Sequence, residues 1–222
     1  MNTKQKIKVK PFKDWQAEEV ERTFGVTRLK KMDLIDELLA VPTVIDSEPL
    51  RTTIDTYRKE ADWRIEAWNE DEYKFLFIAP FLKLVNFTSD YFSVFTQRPM
   101  SVLYDNDTKI TSGKVEWMLA RGRQIPEEPH FFLHEYKPEK NRDNDPLGQL
   151  LIAMIGSQRL NKDEKPVYGI YINGRNWFLV VLDGVNYATS QPFVISTDDI
   201  FDLFYILEFL RQKMEEMYRP LA

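Results

Sequence analysis

The sequence contains no cysteine. A disulfide scaffold and a thiolate zinc site are therefore excluded, and the absence suits a reducing compartment. Positive charge is not in excess. Thirty Lys and Arg face 35 Asp and Glu, for a formal net charge of −5. No global positive field advertises a polyanionic partner, so a basic surface would have to be local. Long apolar runs are missing too. The most apolar stretch, FLFIAPFLKLVNF at 75–87, is too short to span a bilayer and contains Lys83. The basic N-terminus, MNTKQKIKVKPF, lacks the apolar segment of a secretory signal. There is no internal repeat and no low-complexity tract. These absences lead to the expectation of a soluble, cytoplasmic protein with no membrane partner.

What is present is apolar and aromatic mass. Of 222 residues, 43% are hydrophobic and 14% aromatic, enough for one globular domain with or without an appendage. The first third reads as helical. Leu29, Met32, Ile35 or Asp36, and Leu39 follow a three-to-four spacing that Val41-Pro42 ends. Leu50, Ile54, Tyr57, Ala61, Ile65 and Trp68 form one apolar stripe on a longer helix. A third helix should bury Phe75, Ile78, Leu82 and Val85, with a kink at Pro80. Asn69 followed by Glu72 resembles a capping box at its start.

From residue 91 the period changes. YFSVFTQ and SVLYD read as two short strands. TSGKVEWMLARG alternates, with Val115, Trp117 and Leu119 on one side and Lys114, Glu116 and Met118 on the other. HFFLHEYK is the next strand. Phe131, Leu133, Glu135 and Lys137 share one face by alternation; Phe132, His134 and Tyr136 share the other. Asp145 is a natural N-cap with Pro146 at N1 of a helix burying Leu147, Leu150, Leu151, Met154 and Ile155. Asn173-Gly174 and Asp183-Gly184 mark turns between three further strands. A last helix begins near Ser196-Thr197, with Asp198 and Asp199 on its dipole. The order predicts an α/β fold, a central sheet with helices on both faces. Residues 1–69 read as an N-terminal helical extension packed on it.

The chemistry is concentrated in the middle. Glu116 lies on one strand, and Glu135 and Lys137 lie on another, nineteen positions further on. If RGRQIPEEP closes a hairpin between them, Glu116 can meet Glu135. Two converging carboxylates make a hard-oxygen site suited to Mg²⁺. A nearby lysine can orient the attacking water and offset phosphate charge. Gln149, in the first turn of the following helix, could hold the lysine or a phosphate oxygen. Together these parts suit phosphodiester hydrolysis. The tripeptide EYK also occurs at Glu72-Tyr73-Lys74, but there in a helical pattern, where residues two apart diverge.

The arrangement resembles the PD-(D/E)XK nuclease superfamily, with its restriction-endonuclease-like fold. The matching parts are Gly113-Lys114-Val115-Glu116, then Glu135-Tyr136-Lys137, then Gln149, over roughly residues 70–210. More closely, the run GKVEWMLARG, PHFFLHEYKPE, DPLGQLLIAM and YGIYINGRNWFLVVL is similar to small bacterial proteins placed in that superfamily. The resemblance implies a restriction-endonuclease-like α/β/α core over 70–222, with a central mixed sheet. It implies that Glu116, Glu135 and the backbone carbonyl of Tyr136 bind Mg²⁺, with Mn²⁺ as a substitute, and that Glu72 can contribute. It implies catalytic roles for Glu116, Glu135, Lys137 and Gln149, and nucleic acid as partner, DNA ahead of RNA. The first acid is usually Asp preceded by Pro; here Glu116, one methylene longer, follows Val115. The alternative is a catalytically inactive nuclease-fold protein acting as an interaction module for nucleic acid or protein.

Other residues weigh differently. Glu72 reads first as a helix cap, and Asp107 and Asp163 as solvated loop residues. His130 and His134, four apart on a strand, lack a third ligand and read as structural. Trp117, Trp177 and Phe178 read as core. Arg121 and Arg123 in the hairpin, with Lys140, are the local basic residues a phosphate backbone would need, diluted by Glu127, Glu128, Glu139, Asp143 and Asp145. A homodimer is a further expected assembly, to which the amphipathic N-terminal helices could contribute.

Overall fold

The computed structural model describes residues 9–44, 47–105, 108–137 and 145–219; the side chains of residues 129, 131–135 and 137 fall outside that description. The N-terminal third contains β1 (Val9–Pro11), a 3-10 turn (Phe12–Asp14), α1 (Ala17–Phe24), β2 (Thr27–Arg28), α2 (Asp33–Leu39) and α3 (Glu48–Arg64). Next come α4 (Glu70–Tyr73), a π-helical turn (Lys74–Ile78) and α5 (Ala79–Val85). Three long strands follow, β3 (Ser93–Tyr104), β4 (Lys109–Arg121) and β5 (Glu127–Lys137), then α6 (Pro146–Asn161). The chain ends with β6 (Val167–Asn173), β7 (Asn176–Asp183), β8 (Asn186–Thr189), β9 (Phe193–Val194) and α7 (Asp199–Tyr218).

All nine described strands join one mixed sheet. Its main path runs β1-β4-β5-β6-β7-β8-β2, with β3 on the outer side of β4 and β9 beside β7. Strands β3, β4 and β5 are successively antiparallel. The connection through α6 then brings β6 parallel to β5, as a strand–helix–strand crossover requires. The β6–β7 and β7–β8 hairpins turn at Gly174 and Gly184, whose φ values of 57° and 56° are left-handed. The Asn-Gly and Asp-Gly signals identified both turns correctly.

Alternate residues of the sheet feed two cores. On β7, Trp177, Leu179 and Val181 pack with α2, α3, α4, α5 and α7. Val180 and Leu182 pack with α1, α6 and the 3-10 turn. The sheet is therefore sandwiched, as the sequence predicts. The α6 core is deepest: every residue from Leu147 to Ser157 is buried. Gly148 permits this, because a Cβ there would stand 2.4 Å from the carbonyl oxygen of Trp15.

Residues 9–30 are more than helical. β1 runs parallel to β4, pairing Lys10 with Thr111, and β2 runs parallel to β8. Trp15 anchors this segment. Its indole N–H donates to the Thr111 hydroxyl at 2.8 Å, and that hydroxyl donates to the Lys10 carbonyl at 2.7 Å. Two-residue and three-residue strands carry no periodicity, so neither was visible in the sequence.

Three local expectations need correction. The two short strands after residue 91 are one strand, β3, continuous through Arg98-Pro99. Ile78, Leu82 and Val85 of the third helix are buried as expected, but Phe75 is 81% exposed; through the π turn Tyr73, Phe77 and Phe81 join the buried face in its place. Alternation on β4 is also interrupted. Val115 packs in the same core as Met118 and Ala120, while Trp117 and Leu119 face the other core. β3 makes the matching change, since Phe95 shares a core with Met100 and Val102. Both strands switch faces where Gln97, with φ 54°, stands opposite Glu116.

Candidate functional site

Glu116 sits at a fork in the sheet. Below it, β4 and β5 are paired, ending with Trp117 opposite His134. One step further in the same register would set position 116 opposite position 135. There the ladder stops. β5 continues along β6, pairing Tyr136 with Ile172, and β4 continues to β1 at Ile110–Ser112. The hairpin expected from RGRQIPEEP is present, with Arg121 opposite Glu127.

The Glu116 carboxylate is turned toward the π turn. Its Oε2 accepts from Lys74 Nζ and from Gln97 Nε2, both at 2.6 Å. The same Lys74 Nζ also donates to Glu70 Oε1 at 2.5 Å. Burial alone would lower the pKa of Lys74; the hydrogen bonds to Glu116 and Glu70 outweigh it and hold it above the ordinary value. The ammonium therefore stays charged between two carboxylates. Its Nζ also lies 5.7 Å from the centroid of the Tyr136 ring.

Tyr136 is fully buried on this side, its ring 4.9 Å from that of Tyr73. Tyr73 donates to the Gly174 carbonyl at 3.1 Å and accepts from the Trp177 indole at 3.0 Å. These three rings form a buried aromatic cluster beside Lys74. A cleft of about 1030 Å³ opens between the α4–α5 segment and the β3–β4 edge. Glu70, Asp71, Glu72, Lys74, Gln97 and Glu116 give it a polar, net acidic wall, and the exposed Phe75 and Leu76 line its apolar side.

The other expected residues divide. Gln149 lies in the first turn of α6 and is 7% exposed, so it is not a polar residue on a solvated helix face. Asp145 caps that turn, accepting from Leu147 N at 3.0 Å. Glu72 completes the capping box: its carboxylate accepts from Asn69 N at 2.8 Å, and Asn69 Oδ1 accepts from Glu72 N at 2.9 Å. Arg121 ends β4 rather than lying in the loop, and donates to the Tyr218 carbonyl at 3.1 Å. Arg123 is exposed in the turn. The side chains of Glu135, Lys137 and His134 lie outside the described residues, as do Asp107, Lys140 and Asp143 entirely. His130 is buried and tied by main-chain bonds to the Asn161 side chain at 2.7 and 2.8 Å, a structural role. Trp177 is core, whereas Trp117 is only partly buried, its ring 5.3 Å from that of Phe87.

Sequence reasoning missed Lys74, Glu70 and Gln97. The first two had a signal, a Glu–Lys pair four apart on a helix. The helical EYK was set aside because its Glu and Lys diverge. They do diverge, and that divergence leaves Glu72 on the cap while sending Lys74 to Glu116.

No family model matches the chain, and no curated relative matches it. Among the described residues no helix is long and apolar enough to cross a membrane.

For a divalent cation, the oxygen donors present have suitable chemistry. Glu116 is a carboxylate at the strand fork, already attracting two N–H donors through one oxygen. Among the described residues no three acidic or histidine side chains converge.

Proposed function

We propose that this chain is a Mg²⁺-dependent nuclease of the PD-(D/E)XK kind, hydrolysing phosphodiester bonds of nucleic acid, DNA ahead of RNA. The observation that supports the reading is the β4–β5 register, which ends at Trp117 opposite His134; one further step in it would bring position 116 to position 135. The order of helix, three antiparallel strands, crossover helix and parallel strand agrees with a restriction-endonuclease-like core. In this reading Glu116, Glu135 and the Tyr136 carbonyl hold the metal, with Mn²⁺ as a substitute. The bound ion would supply Lewis acidity toward the phosphate and a more acidic water. Lys137 orients the attacking water and offsets charge on the phosphate. Gln149, held on the capped first turn of α6, supports Lys137 or a phosphate oxygen. Arg123, in the hairpin, and Lys140 provide contacts to the phosphate backbone.

Cleavage of single- and double-stranded DNA and RNA with Mg²⁺ or Mn²⁺ tests this. Wild type should cut, and Glu116→Ala, Glu135→Ala and Lys137→Ala should each lose most of the rate. Cutting untouched by these changes, or no cutting over a broad substrate panel, would sink the reading. One observation favours a second reading. Glu116 is already neutralised by Lys74, as it would be in a nuclease fold kept as a binding module. That reading expects nucleic-acid or protein binding without cleavage in the same panel.

A further inference from the structure

We propose that Lys74 is a tethered counter-cation that competes with a divalent ion for Glu116, and that Glu70 is the carboxylate that retains Lys74 when Glu116 is released. This rests on the metal-binding part of the reading above and concerns how that site is loaded.

The geometry carries the inference. A Glu–Lys pair four apart, such as Glu70–Lys74, is ordinary helix-surface chemistry. The second partner is not local: Glu116 comes from β4, 42 residues on, at 2.6 Å. One ammonium is therefore shared by two carboxylates, at 2.5 and 2.6 Å. These side chains are only partly exposed, Lys74 at 25% and Glu116 at 18%, so water screens their attraction incompletely. Glu116 Oε2 also receives Gln97 Nε2. That oxygen already has a full set of donors, and a cation approaching it meets a fixed positive charge.

The arrangement also provides an exit. Lys74 opens the π turn, at the end of a flexible four-carbon stem. Glu70 sits one turn back, within hydrogen-bond distance, and the Tyr136 ring face is near. Lys74 can give up Glu116 without being left unpaired. Loading thus exchanges one shared ammonium for a divalent ion, with Glu70 keeping the displaced charge neutral. The acidic wall of the cleft, from Glu70 to Glu72, suits the entry of a cation.

The test is Mn²⁺ affinity of the full chain, by titration calorimetry or the loss of free-ion EPR signal. Wild type is compared with Lys74→Met, Glu70→Gln and Glu116→Gln, each checked for folding by circular dichroism. Lys74→Met should tighten Mn²⁺ binding about tenfold or more, because a like charge is removed from the site. Glu70→Gln should weaken it, because Lys74 then depends on Glu116 alone. Glu116→Gln should abolish it. Lys74→Gln replaces Lys74→Met should the latter misfold. In the unmodified chain, Mn²⁺ should broaden the side-chain amide NMR signal of Gln97, at a higher ion concentration than in Lys74→Met. Unchanged or weaker binding in Lys74→Met, with binding still lost in Glu116→Gln, overturns the competition but leaves the metal site standing. Binding insensitive to Glu116→Gln, or absent in wild type and Lys74→Met alike, overturns both.

Discussion

Asp145 starts two helices with one carboxylate. Its Oδ2 accepts the main-chain N–H of Ala17 at 2.7 Å, across 128 residues, while its Oδ1 accepts that of Leu147 at 3.0 Å. The first turn of α6, which carries Gln149, is thereby fastened to α1. Asp145→Ala should destabilise the fold by about 1–3 kcal/mol, since two amides lose a charged acceptor. Urea unfolding measures this. The Gln149 amide, bonded to the Asp145 carbonyl at 3.2 Å, should lose hydrogen-exchange protection in the same variant.

Two phenylalanines two residues apart should behave oppositely. Phe77 is fully buried, its ring against Tyr57, Tyr73, Phe81 and Trp177. Phe77→Ala should cost about 3–5 kcal/mol. Phe75 is exposed on the cleft wall, and Phe75→Ala should stay within about 0.5 kcal/mol of wild type. A large loss from Phe75→Ala would mean that the turn at Lys74–Ile78 is α-helical in solution.

Glu72 offers a clean separation of cap from ligand. Asn69→Ala and Glu72→Ala should each lower stability by about 0.5–2 kcal/mol, measured by thermal or urea unfolding. Neither should abolish Mn²⁺ binding. Loss of ion binding in Glu72→Ala alone would make this carboxylate a ligand.

His130 is held neutral by burial, which lowers its pKa, with Glu128 opposing. The unfolded chain then binds the proton more readily than the folded one. The contribution of His130 is complete above about pH 6.5 and is lost as pH falls below it, with a slope of at most about 1.4 kcal/mol per pH unit for one proton. Urea midpoints at pH 7.5 and pH 5 should lie closer together in His130→Leu than in wild type. An equal separation would show that His130 titrates normally.

Much of the fold was legible because its signals are local. The stripe from Leu50 to Trp68, of which α3 carries the part up to Ala61 and ends at Arg64, the cap at Asp145-Pro146 and the Gly174 and Gly184 turns each depend on residues a few positions apart. The α/β layering followed from their order. What escaped depends on distant partners. The face switch at Gln97 and Glu116 exists only because two strands change together, and a non-glycine residue with positive φ has no sequence mark. The π turn is an alternative winding of an apolar run that reads equally well as α-helix. At the site, strand spacing correctly supplied the hairpin, whose pairing ends at Trp117 and His134, one step short of 116 and 135. The partner of Glu116 did not come from strand spacing: Lys74 reaches it from the other EYK, through packing of α4 against the sheet.

The N-terminal strands also constrain when the protein can become complete. β2 docks on Asn186–Tyr187, and Trp15 requires Thr111. At ribosomal rates of about 5–20 residues per second, β2 emerges roughly 8–30 s before its partner strand is made. During synthesis Phe12, Trp15 and Val20 must therefore wait for β4 and α6, and β2 must wait longer still, for β8.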